Sequence, residues 1–186
     1  GLPDISLEDT KAEVSMEDMR EAMDEVLSDK DQKIIYYFFL QKDCLNIAEL
    51  LANPQAQLAE RGNMTMEQYV DLYTSATEMN FNVHRYPAFL SEFVRNYAYN
   101  KDKAGYFPED EILYQFYKYA IETCPNDMAR RWYQLNLDIT NILTAMLARK
   151  NGWNVADFIH GENEVTEMIL NNNTKDFNLS LEYDYV

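Results

Sequence analysis

"DITNILTAM" (138–146) lies in the most apolar helix-like stretch of the chain, yet it carries an Asp and an Asn three residues apart. A similar string, "DCLNIAELL" (43–51), stands 95 residues upstream. At 3.6 residues per turn, Asp138, Asn141, Ile142, Ala145 and Met146 fall on one broad stripe, and so do Asp43, Asn46, Ile47, Leu50 and Leu51. Arg149 returns to the azimuth of Asp138 three turns on. Upstream, Trp132, Tyr133 and Leu135 stand at the same offset from Tyr37, Phe38 and Leu40, so the chain reads as two copies of one helical unit. An Asp and an Asn on a buried helix face cost several kcal/mol unless partnered, so each is expected to bond the end or loop of a neighbouring helix and fix packing register. Asp43 also fits the N-cap of a helix beginning at Cys44. Asp138 does not, because helix-favouring residues continue on both sides of it.

Working outward, Gly62, Gly105, Gly152 and Gly161, with Pro54, Pro87, Pro108 and Pro125, all fall between periodic segments. Ser15 followed by Glu17 and Asp18 opens a helix to about Leu27, and Ser28 followed by Asp31 opens the next. That second segment carries "IIYYFFL" (34–40), which continues into "QKDCLNIAELLAN" as one helix or two abutting ones, too long for a strand. Met66 to Met79, Ala88 to Asn100, Glu109 to Thr123 and Asp127 to about Lys150 follow, with Pro108 at a first-turn position and Asn151-Gly152 as a stop. Short helices are expected at 153–159 and 162–170. In the tail, 171–186, Phe177, Leu179, Leu181, Tyr183 and Tyr185 alternate with polar residues, which predicts an extended arm. The fold class is therefore all-α: a single helical domain with repeat units at about 15–80 and 88–170, packed together, and an extended C-terminal arm.

The chain has 186 residues, 47% of them hydrophobic, with 32 acidic against 16 basic side chains and a net charge of −16. Half of that charge, −8, sits in residues 1–31, as a solvated helix face would carry it. Such a chain repels nucleic acid and anionic membrane surfaces, and a basic protein surface suits it better. Cys44 and Cys124 lie in apolar surroundings, which suits buried thiols of a reducing compartment, the cytoplasm. No window approaches the roughly 18 apolar residues of a membrane span.

Phosphate-cradling glycine loops, a Gly-x-Ser-x-Gly elbow and His-Glu-x-x-His do not occur, and His84 and His160 are the only histidines. "FIHGENE" (158–164) sets His160 near Glu162 and Glu164, the outline of a carboxylate-supported base. A surface turn between two short helices accounts for the same residues. No catalytic, cofactor-binding or metal site is expected.

The pattern of an aromatic-rich helix, then Asp-x-x-Asn-Ile, a basic residue and a Gly-containing helical segment resembles the C subunit of the V/A-type ATPases, known as the d subunit in vacuolar enzymes. "NLDITNILTAMLARKNGWNVADFIHGENEV" (136–165) carries the likeness best and "FLQKDCLNIAELLAN" (39–53) second, while "GLPDISLED" (1–9) looks like the start of an uncharacterised bacterial family encoded beside V-type ATPase genes. The resemblance implies a non-catalytic rotor connector, seated between the membrane c-ring and the central axle and peripheral to the inner face of the cell membrane through those partners. Asp43, Asn46, Asp138, Asn141 and Arg149 map onto its packing motif. The family's body has three similar units and this chain shows two, so either a reduced version or a longer natural chain is expected. The sequence opening on Gly1 also points to an upstream start. Without the resemblance, the same pattern reads as a stand-alone helical-repeat scaffold for a protein or peptide.

Overall fold

The computed structural model describes residues 15–58, 62–78, 85–103 and 105–183. The opening stretch, Met79 and His84 lie outside them. The described residues form seven α-helices: α1 (Met16–Val26), α2 (Asp29–Ala52), α3 (Met66–Thr77), α4 (Ala88–Asn100), α5 (Pro108–Thr123), α6 (Asp127–Asn151) and α7 (Glu164–Asn171). No strand occurs among them.

Local chemistry sets the ends. Ser15 caps α1 in a reciprocal box with Asp18, and Ser28 accepts from the Asp31 N–H at the start of α2. Pro108 occupies the first turn of α5, where its missing N–H costs nothing. Gly152 stops α6 in the left-handed region at φ 70°, which a Cβ disfavours.

The long helices share one main core. Tyr37, Leu40, Cys44 and Ile47 of α2 meet Leu72 of α3, Leu90 and Phe93 of α4, Ile112 and Phe116 of α5, and Tyr133 and Leu137 of α6. This core draws on both sequence units. α5 runs antiparallel to α2: the Tyr37 ring stacks on Tyr119 at 5.9 Å, the Tyr37 hydroxyl meets Thr123 Oγ1 at 3.1 Å, and Gln41 Nε2 donates to the Tyr117 hydroxyl at 3.3 Å. On its other side α5 meets α6, where Phe116 packs edge-on against Tyr133 at 5.4 Å. α3 pairs with α4, and α7 lies on the C-terminal half of α6. There Ile142, Ala145, Val165, Ile169, Phe177 and Leu179 make a second, smaller core.

Three sequence expectations are corrected. Asp43 caps no helix, because α2 runs unbroken through it from Asp29 to Ala52. The segment 153–159 winds only one 3₁₀ turn, Val155–Asp157. As far as Tyr183 the tail is not an extended arm. Phe177 and Asn178 turn the backbone at φ 57° and 62°, a 3₁₀ turn follows at Leu179–Leu181, and Phe177 and Leu179 are fully buried while Leu181 stays exposed. A real strand would put all three on one face; here burial in the small core overrides the alternation.

Candidate functional site: two polar clamps and an open helix face

Both Asp-x-x-Asn pairs are buried, and both grip the loop that leads into the next helix. In the first, Asp43 Oδ2 accepts from the Asn63 backbone N–H at 2.8 Å and from Asn63 Nδ2 at 3.1 Å. Its Oδ1 accepts from the Met64 N–H at 3.0 Å and from the Tyr69 hydroxyl at 2.7 Å. Asn46 Nδ2 donates to that same hydroxyl at 3.0 Å, so Asn46 reaches Asp43 through Tyr69. Burial pushes the Asp43 carboxyl above the ordinary carboxylate range, against the pull of the Tyr69, Asn63 and Met64 donors. Gly62 is required by proximity: a Cβ there would stand 1.9 Å from Asp43 Oδ1 and 2.8 Å from the Asp43 backbone nitrogen.

In the second pair the duties are exchanged. Asn141 holds backbone, its Nδ2 donating to the His160 carbonyl at 2.7 Å and its Oδ1 accepting from the His160 N–H at 2.9 Å. Asp138 Oδ1 accepts from Asn163 Nδ2 at 2.7 Å and from Gln134 Nε2 at 2.9 Å. Asn163 is the N-cap of α7, in a box with Thr166, so Asp138 positions the cap and the cap starts the helix. Burial again pushes the carboxyl up, and Asn163 and Gln134 draw it back. Gly161 beside this clamp serves by conformation, at φ 88°.

Arg149 holds the tail. Its guanidinium donates to the Thr174 carbonyl at 2.6 Å and to the Asn172 carbonyl, and lies 3.8 Å over the centre of the Phe177 ring. Nothing in the local sequence pairs Arg149 with Phe177, 28 residues away.

His160 is not supported by Glu162 and Glu164. Its imidazole stacks on Tyr114 at 4.5 Å and 15°, and the carboxylates that act on it are Glu111 and Asp110 of α5. Burial holds its pKa below the usual 6.5 against those two charges, which favours the neutral ring. The space beside it is about 30 Å³, room for about one water. Among the described residues no three His, Cys, Asp or Glu side chains gather as a metal site, and no helix is long and apolar enough to cross a membrane. Cys44 and Cys124 are free thiols, both buried.

Two surfaces were not located from the sequence. A groove of about 540 Å³ lies between the end of α2, α3 and α4, walled by Leu50, Leu51, Met66, Val70 and Tyr73 and edged by Arg95 and Lys101. The other is an apolar face of α6, exposed at Met128, Trp132, Leu143 and Met146. The spacing of those four was visible in the sequence; that no helix among the described residues covers them was not.

These features define an all-helical protein whose two matched polar pairs clamp loops, leaving apolar helix surface open to solvent. The chain belongs to the family described as "Protein of unknown function (DUF2764)", which its residues 1–186 match throughout. No curated protein and no solved structure matches it.

Proposed function

We propose that the chain is a non-catalytic connector of a V/A-type ATPase, seated between the membrane c-ring and the central axle, on the cytoplasmic side and bound to the membrane only through those partners. The observation that carries the reading is the use of the two Asp-x-x-Asn pairs. The resemblance to the ATPase connector family implies that these residues pack each unit, and here each pair holds the Gly-containing loop ahead of the following helix. A torque-passing part needs loops fixed to long helices, and buried charge-assisted bonds fix them. Its acidic surface suits basic loops of neighbouring subunits. Glu21, Asp24 and Glu25 on α1 are exposed and available for such contacts.

Affinity purification of the tagged chain from its native host in mild detergent tests this. V-type ATPase subunits are expected in the eluate, and reversing Glu21, Asp24 and Glu25 to Lys is expected to deplete them. An eluate that lacks all of them refutes the assignment. A second reading, a helical scaffold that takes an apolar peptide, is favoured by the groove between α2, α3 and α4. It predicts a partner unrelated to the ATPase, lost on Val70→Glu.

A further inference from the structure

The two copies differ in what covers them. On α2 the stripe Tyr37, Leu40, Cys44 and Ala48 is buried, with α5 packed antiparallel along it. At the same offset on α6 stand Trp132, Leu135, Ile139 and Leu143, and three of these are open. Tyr37 is 7% exposed and Trp132 53%, Cys44 0% and Ile139 37%, Ala48 2% and Leu143 61%. Instead α6 meets α5 through a neighbouring face, that of Tyr133 and Leu137. The helix-packing face of the second copy is thus present with no helix on it among the described residues. From Met128 to Met146 it is about 27 Å long, and its apolar positions, 128, 132, 135, 139, 143 and 146, recur at steps of three or four residues, the spacing that seats a partner helix.

Charge narrows the occupant. In a chain of net charge −16, the only carboxylate between Met128 and Lys150 is Asp138, and it is buried in its clamp. Arg131 and Lys150 are exposed at the two ends of the stripe. The helix that fills the matching position on α2 is α5, whose first turn carries Glu109, Asp110 and Glu111. An antiparallel helix on α6 would bring such an acidic first turn to Lys150, and its C-terminal carbonyls to Arg131, both favourable to the helix dipole.

We propose that the open face of α6 seats an amphipathic helix of another polypeptide, antiparallel to α6 and acidic in its first turn. This docking surface adds to the function argued above but does not require that the partner belong to the ATPase.

The test uses the full chain with Trp153→Phe, so that Trp132 alone reports. Two synthetic amphipathic helices of about 18 residues, enough to span the stripe, share one apolar face and differ only in a first turn of Glu or of Lys. The Glu-headed peptide is expected to shift Trp132 emission to the blue and to bind about tenfold tighter than the Lys-headed one at low salt, the gap narrowing as salt rises. Leu143→Glu, on an exposed position, should abolish binding while circular dichroism stays unchanged, and Lys150→Glu should reverse the preference. Binding of neither peptide, equal binding of both, or binding that survives Leu143→Glu overturns the proposal. So does self-association in sedimentation that Leu143→Glu abolishes, because the occupant is then a second copy. If neither peptide binds but ATPase subunits still co-purify, the docking surface fails and the function stands; if the peptides discriminate as expected and the eluate holds no ATPase component, the reverse holds.

Discussion

Gly62→Ala is the sharpest perturbation of the first clamp. The added methyl would lie 1.9 Å from Asp43 Oδ1, 2.3 Å from its Cγ and 2.8 Å from its backbone nitrogen, where carbon contacts need about 3.5 Å or more. The carboxylate must therefore leave its place, and four donors lose it together: two from Asn63, the Met64 N–H and the Tyr69 hydroxyl. Leaving a buried charge without its partners costs roughly 3–5 kcal/mol, a large share of the ~5–15 kcal/mol that holds a domain together. Gly161→Ala at the second clamp meets only Leu137 Cδ2, at 3.7 Å, and bears the strain of φ 88°, about 1–2 kcal/mol. Urea unfolding followed by far-ultraviolet circular dichroism should rank the two variants in that order, with Gly62→Ala at least about twice as costly. The cause is isolated by a double-mutant cycle. Asp43→Ala removes the Oδ1 and Cγ contacts, so Gly62→Ala should cost clearly less in that background, the shortfall being the coupling energy. Strict additivity, or a Gly62→Ala variant as stable as the parent, would refute the account of Gly62 as a seat for the Asp43 carboxylate.

The region around α6 and α7 can be probed at two residues. Arg149→Ala should speed amide exchange across 172–183 while leaving α2 to α5 protected, because it frees the Asn172 and Thr174 carbonyls and uncovers Phe177; Arg149→Lys should restore little, since an ammonium cannot present the forked pair, and unchanged exchange in the tail would contradict the pinning. His160 should titrate below 6.5 in the folded chain. Below that pH the unfolded state then binds the extra proton, so this group's contribution to stability is present above pH 6.5 and is lost as pH falls through the window beneath it. His160→Phe, which keeps an aromatic ring on Tyr114, should flatten that part of the stability profile relative to the parent, and identical slopes would show that His160 is not buried as described.

What the sequence disclosed was local. The caps at Ser15 and Ser28, the first-turn Pro108 and the stop at Gly152 each depend on residues within one turn, and all were legible. The burial of Asp43, Asn46, Asp138 and Asn141 was legible too, because a polar pair set within an apolar stripe is carried into the core with it. The partners were not. Asp43 finds Asn63 and Met64 across twenty residues or more, and Asp138 finds Asn163 across 25, distances over which periodicity carries no information. The tail misled for the same reason. Its alternation is real, but Phe177 is placed by Arg149 and the small core, and a two-residue left-handed turn takes the place of a strand.

The matching offset of 95 residues held for the polar pairs and failed for the aromatic positions upstream of them. Tyr37 is buried where Trp132 is open, and Phe38 is open where Tyr133 is buried. Both facts follow from what each residue type can tolerate. A buried Asp or Asn must keep a partner, so its place on the helix is fixed by the loop it grips. An apolar residue needs only cover, and cover can come from any helix that presents an apolar face, including one from another chain. In the clamps Asp43 accepts four hydrogen bonds, and Asn141 meets the His160 backbone through both of its side-chain polar atoms. The proposed docking helix would cover Trp132, Ile139 and Leu143, which are open at the positions where Tyr37, Cys44 and Ala48 are buried.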